Sequence, residues 1–183
     1  MASDEPQSFE EVQNRTNKYH MQVALDEARK SPPKPTNFCV GAVLVGSTVD
    51  LDMFTFTGYT LECEGNTHAE QCCLIKLAAE NEGSLERAGQ DVHTAHLYTT
   101  MEPCNKRSPG NKPCVDRIIE WRGADGTPAI KKVFIGVTEP ETFVGENQGR
   151  ARLEAAGIEV IHVPGFEEEL LKVATAGHVK PEA

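Results

Sequence analysis

The chain has 183 residues, 39% hydrophobic and 25% charged, with 18 Lys and Arg against 28 Asp and Glu for a formal net charge of −10. That length fits one domain with a full core, and the composition excludes global disorder. The acidity argues against a surface built to grip nucleic acid, and no run approaches the roughly 18 consecutive apolar residues of a membrane helix. Met1-Ala-Ser-Asp-Glu-Pro has neither the basic start nor the apolar stretch of a signal peptide, so the sequence predicts a soluble, cytoplasmic chain whose six cysteines stay reduced.

Residues 1–16 carry four acids against Arg15 and read as a flexible acidic arm. The folded domain is expected over 17–178, with 179–183 as a tail. Met21, Ala24, Leu25 and Ala28 recur at helical spacing, giving a helix over 17–30 that Ser31-Pro-Pro-Lys-Pro ends. Cys39–Val45 is a continuous apolar run, the pattern of a buried strand, and a second strand over 50–58 makes a hairpin with it. A helix is predicted over 68–81, with Cys72, Leu74, Ile75, Leu77 and Ala78 inward, and a strand over 94–100. After a Pro- and Gly-bearing loop over 101–112, Pro113 suits the first turn of a third helix, with Asn111 as its cap. A strand over 132–137, a helix over 150–156 ending at Gly157, a strand over 158–163 and an amphipathic helix over 166–176 complete the chain. This alternation predicts a layered α/β domain with a sheet covered on both faces.

The chemistry gathers in two segments, Asn66-Thr67-His68-Ala69-Glu70 and Glu102-Pro103-Cys104, with Cys114 nine residues beyond. His68, Cys104 and Cys114 supply one imidazole and two thiolates, a set that suits Zn2+ and leaves one tetrahedral position open for a water. Zinc lowers the pKa of such a water from about 15.7 towards about 7. Glu70, two residues past the histidine, stands where a proton shuttle facing the same cavity would. His68 and Cys114 each fall at the start of a predicted helix, where the partial positive charge favours thiolate. Two other readings stay open. Cys72, four residues from His68, would complete a four-ligand structural zinc site, which leaves Glu70 without a role; or all six cysteines are core residues. Cys39, Cys63 and Cys73 read as core or surface thiols, and Trp121 as packing a helix on the sheet.

His-Ala-Glu followed by Pro-Cys and a second Cys resembles the zinc-dependent cytidine deaminase superfamily, whose signature the sequence carries with one departure. Nucleotide, nucleoside and tRNA deaminases commonly have two residues between the cysteines; here there are nine, Asn105 to Pro113. The longer loop is similar to that of the pyrimidine deaminases of riboflavin biosynthesis. Asn37-Phe-Cys-Val-Gly-Ala-Val also resembles that family's first strand, and Thr99-Thr-Met-Glu-Pro-Cys its fungal branch. The resemblance, over about 17–178, implies a three-layer α/β/α sandwich on a five-stranded mixed sheet. It implies hydrolytic removal of the 2-amino group of a diamino-ribitylamino-pyrimidinone 5′-phosphate, in the fungal branch after the ribose has been reduced. It further implies His68, Cys104 and Cys114 as metal ligands, Glu70 as the catalytic acid/base, and pairing of two copies. A chain of this length has no room for the reductase domain of bacterial relatives, so a deaminase alone is expected.

Asn37 matches the family's asparagine on the pyrimidine edge, though an Asn before a strand is otherwise a turn residue. Asn105, Ser108, Asn111 and Lys112 are expected to line the site, and Glu139 either reaches the pocket or is an exposed turn residue. The rival substrates are deoxycytidylate or another nucleotide; a rival outside enzymes is a catalytically silent, zinc-stabilised partner subunit of a tRNA deaminase. Lys106, Arg107, Lys112, Arg117 and Arg122 outnumber Asp116 and Glu120 over 104–122. That local excess is either a solvated face or the receiver of one phosphate on a small substrate.

Overall fold

The computed structural model describes residues 8–138 and 148–178; Glu139 and the tail over 179–183 lie outside the described residues. The elements are α1 (Phe9–Ala28), β1 (Gly41–Thr48), β2 (Met53–Tyr59), α2 (Ala69–Glu80), α3 (Leu85–Asp91), β3 (Val92–Met101), α4 (Cys114–Glu120), β4 (Ile130–Val137), α5 (Gly149–Ala155), β5 (Glu159–His162) and α6 (Glu167–Ala174). The five strands form one sheet in the order β2-β1-β3-β4-β5. β1 runs antiparallel to both β2 and β3, whereas β3–β4 and β4–β5 are parallel. Among the described residues no helix is long and apolar enough to cross a membrane.

Period-two alternation sends neighbouring strand residues to opposite layers. Val43, Tyr98 and Phe134 meet Met21, Ala24 and Leu25 of α1 and Leu170 of α6. Leu44, Leu97, Val133 and Ile135 meet Leu74 and Leu77 of α2, Ile118 of α4 and Leu153 of α5. Burial on both faces is why β1 reads as an unbroken apolar run. The result is the expected three-layer α/β/α sandwich on a mixed sheet.

Two glycines set how closely the helices approach. A Cβ on Gly41 would lie 1.9 Å from the Ala24 carbonyl oxygen, and one on Gly58 would lie 2.4 Å from that of Ala69. Gly58 therefore lets the first turn of α2 rest directly on β2, which places that turn's side chains beside the end of β3.

The elements differ from expectation at three points. α1 begins at Phe9 rather than at 17, so residues 9–16, expected in the arm, are helical; Ser8 and Glu11 form a capping box at its start. Apolar periodicity missed those turns because they are exposed. α3 has only seven residues, too few for a period to show. Asn111 does not cap α4: Pro113 occupies the cap position and makes no side-chain cap bond of its own.

Candidate metal centre and substrate cavity

Each member of the predicted ligand set stands at an element boundary. His68 is the residue before α2, with extended backbone (φ −94°, ψ 159°), and Glu70 is the second helical residue. Cys104 follows β3 after Pro103, and Cys114 is the first residue of α4. The orphan amides of α4 turn back on Cys104: Cys114 N–H donates to Cys104 Sγ at 3.4 Å, and Val115 N–H to the Cys104 carbonyl at 3.2 Å. Cys104 thus does the capping that Asn111 was expected to do.

His68 Nδ1 lies 3.4 Å from Cys104 Sγ and 3.5 Å from Cys114 Sγ, and the donor atoms of all three residues lie within 4.8 Å of one another. A tetrahedral zinc with the usual bond lengths separates N and S ligands by roughly 3.6 Å, so this donor set fits that ion. Cys72 is not part of it. Its thiol donates to the Tyr59 carbonyl at 3.5 Å, and the Cys73 and Cys39 thiols donate to the carbonyls of Ala42 and Ser31. Among the described residues His68, Cys104 and Cys114 are the one group able to hold a metal, so the four-ligand structural arrangement is not formed.

Electrostatics distinguishes the two thiols. The hydrogen bond from Cys114 pulls Cys104 down to about 4 against the opposing effect of burial, with His68 adding to the pull. The same bond and burial push Cys114 well up. Without metal, Cys104 and Glu70 both compete for the single proton of Cys114, and a cation would take over that proton's role. Glu70 is 4% exposed and accepts from Cys114 Sγ at 3.4 Å. Burial raises its pKa, against a smaller downward pull from His68.

A cavity of ≈ 400 Å³ opens over this group, lined among others by Asn37, Phe38, Asn66, Glu102, Lys106, Arg107 and Ser108. A larger groove of ≈ 660 Å³ between α2, α3 and α4 contains no member of the ligand set. The chemistry belongs to the smaller one.

Of the residues expected to contact substrate, Asn37 and Ser108 line the cavity. The Asn37 amide donates to Asn66 Oδ1 at 3.2 Å, and the Thr36 hydroxyl donates to Asn37 Oδ1 at 2.7 Å. Three others do not line it. Asn105 accepts from Arg152 Nη1 at 2.7 Å, and Asn111 stands behind Ser108, donating to its Oγ at 3.2 Å. Lys112 pairs with Glu120 and faces the larger groove. Rotation along the nine-residue loop turns one lysine in and the other out.

The inward cations are Lys106 and Arg107. Arg107 is engaged: Nη1 donates to Gln71 Oε1 at 3.0 Å and Nη2 to the Asn66 carbonyl, tying the loop to α2. Lys106 is exposed at the cavity mouth and has no hydrogen bond or ion pair among the described residues. Glu102, which the sequence flagged only as part of a motif, is 7% exposed and accepts from the Arg150 amide at 3.2 Å. Burial raises its pKa. An acid two residues past the end of an apolar strand segment was the available signal.

An imidazole at a helix start and two thiols beside a buried carboxylate, carried on this sheet order, define the zinc deaminase class. Residues 14–127 match the cytidine and deoxycytidylate deaminase zinc-binding region, and the chain belongs to that family. It is 38% identical over 159 residues to the diaminohydroxyphosphoribosylamino-pyrimidine deaminase of Schizosaccharomyces pombe, an alignment covering 87% of this chain and 35% of that protein. The riboflavin biosynthesis protein RibD of Aquifex aeolicus is 34% identical over 78% of this chain and 33% of its own length. The chain thus spans about a third of these curated relatives. Among solved structures, Aspergillus oryzae Rib2 deaminase (a C-terminal deletion mutant) superposes with a TM-score of 0.76 at 46% identity, covering 88% of this chain and 92% of that one. The same deaminase in complex with DARIPP matches at 0.75 and 44%, over 88% and 91% of the two chains.

Proposed function

We propose that the chain is a zinc-dependent hydrolytic deaminase that removes the 2-amino group of 2,5-diamino-6-ribitylamino-4(3H)-pyrimidinone 5′-phosphate in riboflavin biosynthesis. The observation that carries the proposal is Glu70: a carboxylate buried against His68, Cys104 and Cys114 in a cavity whose lining includes the exposed Lys106, unpaired among the described residues. A purely structural metal gains nothing from such a carboxylate. The nine-residue loop and the likeness to the Schizosaccharomyces pombe deaminase and to the Aspergillus oryzae complex with DARIPP support the substrate class.

His68, Cys104 and Cys114 would hold the zinc, which supplies hydroxide at neutral pH by acidifying a water. Glu70 does the rest of the acid–base work. Burial, which raises its pKa, helps it take up a proton that it must later return. Oε2 takes the proton that the water gives up and hands it to the ring nitrogen beside the attacked carbon. It then takes the second proton, from the hydroxyl now on that carbon, and passes it to the departing amine, so that a carbonyl is left as the C–N bond breaks. Asn37, held by Thr36 and Asn66, presents its amide to the pyrimidine edge, and Ser108 offers a hydroxyl on the opposite loop. Lys106 meets the 5′-phosphate.

Zinc-loaded protein should release ammonia from the ribitylamino pyrimidine phosphate and not from deoxycytidylate. The opposite preference would overturn the substrate and leave the chemistry standing.

A further inference from the structure

Asn37 and Phe38, on one wall of the cavity, belong to the connection between α1 and β1, which is broken by Pro32, Pro33 and Pro35. Its internal ties include an isolated bridge between Lys34 and Asn37, the Ser31 hydroxyl on the Val40 carbonyl at 3.3 Å and the Cys39 thiol on the Ser31 carbonyl at 3.8 Å. The turn that follows α6 backs the segment from outside.

Cys39 N–H donates to the Ala174 carbonyl at 2.9 Å. His178 Nε2 lies 3.2 Å from the Asn37 carbonyl oxygen. Because a carbonyl only accepts, the ring nitrogen must be the donor and carries its proton on Nε2. The His178 ring also packs on Phe38, with centroids 4.7 Å apart and planes inclined at 52°. Between these contacts the backbone at Gly177 presses on Lys34: a Cβ there would lie 2.2 Å from the Lys34 nitrogen. The close approach leaves no side-chain volume between the two segments. Asn37 is thereby gripped on both sides, its carbonyl by His178 and its amide by Thr36 and Asn66.

We infer that His178 is a positioning residue, which fixes the Asn37–Phe38 wall of the substrate cavity from behind without itself lining the cavity. The grip is a matter of geometry; that the wall serves a pyrimidine rests on the function proposed above. Residues that order a wall before binding spare the substrate that cost, so their loss weakens binding more than turnover.

Two measurements on the zinc-loaded chain test this. In steady-state kinetics with the ribitylamino pyrimidine phosphate, His178→Ala should raise KM roughly fivefold, the worth of one hydrogen bond, with kcat within about twofold and zinc content unchanged. His178→Gln, which keeps a donor for the Asn37 carbonyl, should recover part of the loss. Hydrogen exchange followed by mass spectrometry should show faster exchange across 34–39 in His178→Ala, with segments 68–72 and 104–114 unchanged. An unaltered KM, or a fall in kcat accompanied by zinc loss, overturns the inference. If the wild-type chain does not turn over the pyrimidine at all, the functional proposal fails on its own, and exchange decides the grip: faster at 34–39 upholds it, unchanged refutes it.

Discussion

Two pairs of touching thiols occur in this molecule, and they have opposite characters. Cys104 and Cys114 share a hydrogen bond beside an imidazole, and Cys104 falls to about 4. Cys63 and Cys72 also share a hydrogen bond, yet burial, that bond and nearby Glu62 push Cys63 up to about 11. The difference lies in what surrounds the sulfur. Cys104 receives the Cys114 amide and faces His68, both stabilising negative charge. Around the other pair, the Tyr59 carbonyl accepts from Cys72, and Lys76 is already engaged by Glu62 and the Thr57 carbonyl. Pairing alone does not make a ligand set; donors aimed at the sulfur do.

The largest expected effects fall on the first pair and its partners. Cys104→Ala should lose both zinc and activity, whereas Glu70→Gln should keep one equivalent of zinc and lose turnover by about 10²–10⁴-fold. Metal analysis alongside kinetics separates the two. A Glu70→Gln enzyme near the wild-type rate would refute the proton-shuttle role, and a Cys104→Ala enzyme with full zinc would erase the contrast between the pairs.

Next in size is the contrast between two lysines of the connecting loop. Lys106→Ala should raise KM for the phosphorylated pyrimidine about tenfold, because it removes a charge-assisted contact. Lys112→Ala, which breaks only the exposed pair with Glu120, should leave KM unchanged. Equal effects would mean that the loop adopts another course when substrate binds.

Alkylation of the metal-free chain sharpens the comparison directly. At pH 7 Cys104 is fully thiolate while Cys63 is about 10⁻⁴ ionised; the weaker nucleophilicity of the more acidic thiolate offsets about three decades of that advantage. Cys104 should therefore react about tenfold faster at pH 7, and the order should invert by about pH 9 as Cys63 ionises. Mass spectrometry of the labelled peptides reads both sites at once, and an order that does not change with pH would contradict the assigned surroundings. Zinc should protect Cys104 and leave Cys63 reactive.

Smallest is the effect of Cys63→Ser. Activity should stay within about twofold and stability within about 1 kcal/mol by denaturant unfolding, since no metal or substrate depends on that thiol. A large loss of zinc in this variant would tie the second pair to the first.

The parts of the site written in consecutive residues were legible in the sequence. His68 with Glu70, and Pro103 with Cys104, are short spans whose spacing sets their geometry. The parts that depend on the path of a loop were not. Lys106 and Lys112 have the same charge and sit six apart between the same two cysteines, and only the turn of the chain sends one to the cavity and the other to Glu120. His178 acts on Asn37 from 141 residues away in the chain, a contact no local pattern encodes. The fold shows the same division: strands buried on both faces announce themselves as apolar runs, whereas the exposed turns of α1 were signalled only by the capping box of Ser8 and Glu11.

Trp121 is the only tryptophan in the chain, and it reports on a place other than the chemistry. Its indole is 2% exposed, donates to the Leu85 carbonyl at 3.0 Å, and lines the larger groove, where α4 meets α3. Its ring is absent from the walls of the metal cavity. Intrinsic tryptophan fluorescence of this protein is therefore a gauge of α3–α4 docking and of anything entering that groove, and Trp121 makes no direct contact with the metal cavity. The two cavities can be observed separately in one sample, one by emission and the other by ammonia release.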